Sequence, residues 1–155
     1  MSAREPGSFE RILDTEGVLV YRIEGVSMQP MLRMGRDLVV IRKPDGRLQK
    51  YDVALYRRQT GNYVLHRVVR VCEDGYIIRG DNCFRDETDI TDREIVGVLA
   101  QFRRRGREIS ASSRLYRLYA RFWVASYPVR RFLHTAKGFL TEGLWVHLRK
   151  KRGNK

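Results

Sequence analysis

Up to residue 102 the chain is a succession of short β-branched and aromatic runs, each closed by turn residues, and such a pattern leaves room for little but a sheet. The runs cover residues 17–23, 37–41, 52–56, 63–71, 76–79 and 95–102, and Gly35, Pro44-Asp45-Gly46, Thr60-Gly61-Asn62 and Asp74-Gly75 punctuate them. None is long enough for a core helix, and the turn residues recur at strand-length intervals. A mainly β domain over residues 17–103 is therefore expected. Before it stands a polar lead-in, residues 1–16, with one helical turn around Phe9 to Leu13.

Beyond residue 103 the period changes. Arg103-Arg104-Arg105-Gly106-Arg107 and Ser110 to Ser113 are expected to form a linker into a basic, aromatic-rich helical tail, residues 104–155. There Leu115, Leu118, Tyr119 and Phe122 fall on one helical face. After Pro128, Val129, Phe132, Leu133, Ala136, Phe139, Leu140 and Leu144 fall on another. Charge divides at the same place. Residues 1–100 hold 16 Lys/Arg against 16 Asp/Glu, whereas residues 101–155 hold 15 Lys/Arg against Glu108 and Glu142, which accounts for the whole net charge of +13. A neutral body with a basic tail reads as two functional units, the second facing something anionic. Trp123, Tyr127, Phe132, Phe139 and Trp145 among the cations suit an anionic membrane surface. The plainer alternative is an apolar face packed on the β domain with its cations solvated. Nucleic acid is disfavoured as a partner, because no docking motif is present.

Cys72 and Cys83 have neither metal spacing nor the density of a disulfide framework, and no cofactor or metal centre is expected. The first eleven residues are polar and charged, unlike a signal peptide. No apolar stretch approaches the roughly 18 residues that span a bilayer. A cytoplasmic or peripherally membrane-associated protein is the expectation.

Within the β region lie the parts of an activated alcohol. Ser27 stands in Gly25-Val26-Ser27-Met28-Gln29-Pro30, His66 in Val64-Leu65-His66-Arg67-Val68-Val69, and Asp81 in Arg79-Gly80-Asp81-Asn82. Ser27 ends one strand-like run and precedes an expected helical turn, Met28 to Met34. Free N–H groups there would stabilise an oxyanion, and the simpler role is an N-cap. A two-residue Asp74-Gly75 hairpin loop would pair Glu73 with Tyr76, which sets His66 opposite Cys83 and Val68 opposite Asp81. His66 and Asp81 would then project from one face as diagonal neighbours, about 7–8 Å apart. A Cys83–His66 dyad and a Ser27–Lys50 dyad are weaker alternatives. His134 and His147, among the basic helices, read as solvent-facing or satisfied.

Gly25 to Leu32 resembles the serine box of type I signal peptidases. Lys50-Tyr51-Asp52-Val53-Ala54-Leu55-Tyr56 is similar to that family's Lys-x-Gly-Asp-Ile-Val strand, with Tyr51 in place of glycine. Residues 64–69 resemble the next box, with His66 where typical bacterial enzymes carry lysine, as in the endoplasmic-reticulum and archaeal branch. Arg79 to Asn82 resembles the Gly-Asp-Asn box. The likeness covers residues 17–100 with every box in order. It implies a signal-peptidase-like β fold, also shared with self-cleaving SOS-type repressors, although no helix-turn-helix precedes the domain here. It also implies Ser27 as nucleophile and oxyanion-side residue, and His66 as general base. The substrate would be an extended peptide or precursor protein with small side chains beside the scissile bond. The branch's second aspartate falls at Glu87, next to Asp86; Asp81, Asp86 and Glu87 are thus candidates to orient the imidazole, with Asp81 and Asp86 preferred. Members usually carry a transmembrane helix before the serine box, and no such helix is expected here. The expected function is serine endopeptidase cleavage of a leader or signal segment. The competing class is a non-catalytic module of the same fold that binds a peptide, a membrane or nucleic acid.

Overall fold

The computed structural model describes residues 8–136, which fall into two compact units, one ending at Val124 and the other beginning at Ala125. The chain is mainly β, with helices toward its C-terminal side. Along the chain, α1 (Ser8–Glu16) leads into β1 (Val18–Arg22), β2 (Leu38–Arg42), β3 (Val53–Arg57), β4 (Tyr63–Cys72), β5 (Gly75–Arg79), β6 (Glu87–Ile90), β7 (Ile95–Arg104), β8 (Arg107–Ser110) and α2 (Arg114–Ala125), all within the first unit but for the last residue of α2. The strands form one antiparallel sheet in the order β1-β2-β7-β3-β4-β5-β6, with β8 added to β7. Residues 127–136 of the second unit are helical. No helix among the described residues is long and apolar enough to cross a membrane.

Each of the six expected runs is a strand. β3 shows why such runs can be apolar throughout: Val53 and Leu55 enter one core cluster, Ala54 and Tyr56 another, so alternation places side chains on two buried faces. The larger cluster joins Phe9 and Leu13 of α1 to Leu19, Val39, Ile41, Leu99 and Phe102 of the sheet. α1 is longer than the single turn expected.

Two expectations need correction. The arginine-rich segment 103–107 is not a linker. It is the tight turn of the β7–β8 hairpin, in which Arg105 and Gly106 take φ of 51° and 79°, the left-handed pair such a turn requires. The β5 side also pairs differently: Cys72 faces Gly75, so the loop is Glu73-Asp74, and a bulge near Val69 brings Arg67 opposite Arg79. The helical turn expected after Ser27 is present as turns over residues 28–31, with Leu32 N–H donating to Met28 O at 2.8 Å.

β2 crowds position 97 of β7, with α1 adding a looser contact, so that only glycine fits there. A β-carbon there would lie 2.4 Å from Ile41 Cγ2, 2.9 Å from Arg42 O and 3.3 Å from Leu13 Cδ1. Gly97→Ala is expected to lower stability by about 1–3 kcal/mol, read as a shift of the urea unfolding midpoint at unchanged slope.

Candidate active site

Ser27 sits in the long connection between β1 and β2, which is pinned by its own sequence. Met28, Met31 and Leu32 are buried in the large core cluster, and this leaves Ser27 half-buried at the surface. The connection is closed at its neck by backbone bonds, Ile23 N–H to Asp37 O and Gly35 N–H to Ile23 O, both 3.2 Å. Buried Asp37 accepts from Arg33 N–H at 3.0 Å and from Arg36 Nε and Nη2 at 2.6 and 2.7 Å. Burial works to raise the Asp37 pKa, but the Arg36 and Arg33 hydrogen bonds outweigh it and hold the carboxyl below its ordinary value. Asp37 was not among the residues singled out by motif.

A second loop meets this one. Asn82 N–H donates to Ser27 O at 2.7 Å, and its side-chain amide reaches Val26 O at 3.4 Å. Between them stands Gly80, whose missing side chain is what admits the imidazole. A β-carbon there would lie 2.7 Å from Cys83 Sγ, 2.8 Å from Ser27 O and 2.9 Å from His66 Nε2. His66 thus lies over Gly80 rather than opposite Cys83, as the corrected register requires, and its Nε2 and the Ser27 carbonyl oxygen both border the space that glycine leaves.

The other ring nitrogen is held by a different acid from either preferred one. His66 Nδ1 is 3.0 Å from Glu87 Oε1 and 3.3 Å from Tyr56 Oη. Glu87, at the start of β6, is gripped in turn by Arg58, whose Nε and Nη2 donate to its two oxygens at 2.9 and 2.7 Å. Burial pushes the His66 pKa down, against the smaller upward pull of Glu87, and the net direction is down. Burial would raise the Glu87 pKa, but the hydrogen bonds from Arg58 and Tyr56 lower it further than burial lifts it. Tyr56 is driven up, first by burial and then by Glu87, and stays a neutral donor. Near neutral pH the site therefore pairs an ionised carboxylate with a neutral imidazole. In the tautomer that donates Nδ1–H to Glu87, the lone pair falls on Nε2.

Asp81 and Asp86 are each committed elsewhere. Asp81 is buried in a two-pronged pair with Arg67, Nε to Oδ1 and Nη2 to Oδ2, both 2.8 Å. Asp86 accepts from Arg79 Nη1 at 2.8 Å. Asp81 faces away from the imidazole for a simple reason: neighbours in a strand point to opposite faces, and Gly80, not Asp81, is level with His66. The same alternation sends Arg67 to Asp81. All five guanidinium N–H groups find acceptors, the other three going to Tyr51 O at 2.9 Å, Tyr116 Oη at 3.2 Å and Met31 Sδ at 3.0 Å.

Of the alternative dyad partners, Cys83 lines the same groove, but burial, then Glu87, pushes its thiol pKa up, away from thiolate. Lys50 lies over the Tyr51 ring, 5.3 Å from its centroid. His134 is exposed in the second unit, and His147, with the rest of 137–155, lies outside the described residues. Among the described residues no cluster of His, Cys, Asp and Glu is arranged to hold a metal ion.

Ser27, His66 and Cys83 open into a groove of about 760 Å³. One wall is the end of β1 and its extension, with Tyr21, Ile23 and Gly25; the other is residues 62–65, at the start of β4. At the far end Phe9 of α1 packs on Tyr21 and Tyr63, ring centroids 5.4 and 4.4 Å apart.

No protein-family model matches the chain, and no curated protein matches it significantly.

The three acids should separate experimentally. Asp81→Asn, which strips a buried arginine of its counter-charge, is expected to cost about 3–5 kcal/mol in urea unfolding, and Asp86→Asn about 0–1 kcal/mol. An NMR titration should place the His66 pKa below the ordinary imidazole value of about 6.5. Glu87→Gln should lower it further, since it removes the nearest anion and leaves Arg58 uncompensated.

Proposed function

We propose that the chain is a serine endopeptidase that removes a leader or signal segment from a peptide or small precursor, with Ser27 as nucleophile, His66 as general base and Glu87 as the acid that orients it. The observation that carries this reading is the state of His66. The ring is buried, which favours its neutral form, its Nδ1 is tied to Glu87, whose carboxyl is held below its ordinary pKa, and its Nε2 borders the same small space at Gly80 that the Ser27 backbone borders. A structural histidine gains nothing from keeping a lone pair toward a groove; a proton acceptor requires it.

In the proposed reaction Ser27 Oγ attacks the scissile carbonyl and passes its proton to His66 Nε2. The imidazolium so formed is stabilised by Glu87 and gives the proton to the leaving amine. Water, deprotonated by the same nitrogen, then cleaves the acyl ester. The Ser27 backbone N–H is the proposed oxyanion donor.

The groove walls suggest how a substrate is held. β1 pairs only with β2, and β5 joins β4 only from Arg67 onward, so the edge of residues 63–66 opposite β3 carries no strand among the described residues. Two such edges flanking one groove suit an extended peptide bound by main-chain hydrogen bonds. The boxes at residues 25–32, 50–56, 64–69 and 79–82 resemble those of histidine-type signal peptidases, which adds a preference for small side chains at the scissile bond. Glu87 would then take the place of that branch's second aspartate.

A fluorophosphonate probe should label the purified protein at Ser27, with labelling lost in Ser27→Ala and His66→Ala; undiminished labelling of Ser27→Ala would sink the assignment. With a cleavable peptide, either alanine variant should lower kcat on the order of 10⁴-fold or more, and Glu87→Gln about 10²–10⁴-fold with little change in KM. Because the base must be unprotonated, kcat/KM should rise with pH through an apparent pKa below that of free imidazole and level off above it. A rate independent of pH across that range would remove His66 from the mechanism.

A further inference from the structure

α2 carries two apolar faces, and the packing uses only one. Tyr116 and Ala120 are buried against the body, with Tyr119 and Trp123 half-buried beside them. Polar hooks fix this face: Tyr116 Oη accepts from Arg67, and Trp123 Nε1–H donates to Asp81 O at 3.0 Å. At 100° per residue, Leu115, Leu118 and Phe122 form a separate stripe, and they are 82%, 65% and 67% exposed. Arg114, Arg117 and Arg121, all exposed, run alongside it, and α2 contains no acidic residue. The idea that the apolar stripe is there to pack on the β domain is thus excluded for these three side chains, since a different face does that work.

We infer that the outer face of α2 docks on an anionic lipid surface, with Leu115, Leu118 and Phe122 entering the headgroup–acyl boundary and Arg114, Arg117 and Arg121 pairing with lipid phosphates and carboxylates. Charge chooses among occupants. A second copy of this face would set three arginines against three arginines. A nucleic-acid backbone would satisfy the arginines and leave two leucines and a phenylalanine in water. An anionic bilayer surface satisfies both stripes at once. The second unit, taken by itself, has the same composition: Val129, Phe132 and Leu133 are exposed in the helical stretch 127–136, beside Arg130 and Arg131. This inference is independent of the proposed chemistry.

The test is flotation of the full chain with phosphatidylcholine vesicles, with and without phosphatidylserine, alongside sedimentation of the protein alone. The wild-type chain should float with the phosphatidylserine vesicles and much less with phosphatidylcholine alone. The triple variant Leu115→Ser/Leu118→Ser/Phe122→Ser, altered only at exposed positions, should keep the wild-type unfolding midpoint and lose binding about tenfold or more. Undiminished binding by the triple variant would overturn the inference, because the basic residues elsewhere would then suffice. So would failure of the wild-type chain to bind, or a wild-type dimer that the triple substitution splits, which would assign the face to a second copy.

Discussion

The buried pair of Arg67 and Asp81 is the contact on which the rest of the site is built. Each is the chain neighbour of a site residue, Arg67 of His66 and Asp81 of Gly80, and each points to the face opposite that neighbour. Joining the two charges therefore fixes the histidine over the glycine. A buried ion pair is costly to desolvate and stabilises only where its remaining hydrogen-bonding groups are filled. Here the other three guanidinium N–H groups go to the backbone before β3, to Met31 of the serine connection and to Tyr116 of α2. Lysine could not replace this planar fork, because one ammonium cannot face five acceptors spread through four segments.

The division of labour among the acids follows from the cations around them. Asp81, Asp86 and Glu87 stand within seven positions of sequence, and each is claimed by a different arginine: Arg67, Arg79 and Arg58. Glu87 alone also reaches the imidazole. Arg58 does two things there. It keeps Glu87 ionised despite partial burial, and its own charge adds to the burial that keeps His66 unprotonated. A carboxylate pushed down beside an imidazole also pushed down gives an ionised acceptor and a neutral imidazole at one pH, the pairing the proposed mechanism calls for.

What the sequence revealed and what it hid differ in range. The six longer strands were legible because apolar alternation and turn residues are local signals. β6 and β8, Glu87-Thr88-Asp89-Ile90 and Arg107-Glu108-Ile109-Ser110, carry too few apolar residues to announce themselves, as suits strands at the margins of a sheet. The serine, the histidine and the set of candidate acids were legible as motif residues. The choice among the acids was not, because it turned on register. Gly75 looked like the left-handed half of an Asp-Gly turn; its real constraint is the close approach of β6, where a β-carbon would lie 2.4 Å from Ile90 O. A residue selected by a strand fifteen positions away cannot be interpreted from its neighbours. That misreading, with the bulge near Val69, moved Asp81 off the histidine and left Glu87 in its place.

The same distinction between local and distant signals explains α2. Periodicity alone favours Leu115, Leu118 and Phe122 as the packing face, because they are the most apolar residues at helical spacing. The helix is instead seated by a phenol and an indole, which bury nearly as much apolar surface and also complete the hydrogen bonding of a buried arginine and of the Asp81 carbonyl. Leucine or phenylalanine in those places would leave a buried guanidinium donor and a carbonyl without partners, a larger loss than the gain from a more apolar contact. Once the ion pair has claimed the aromatic face, helical geometry dictates that the leucines and the phenylalanine turn outward among the arginines. The contact that aligns His66 over Gly80 is therefore also what presents an apolar, cationic stripe at the surface.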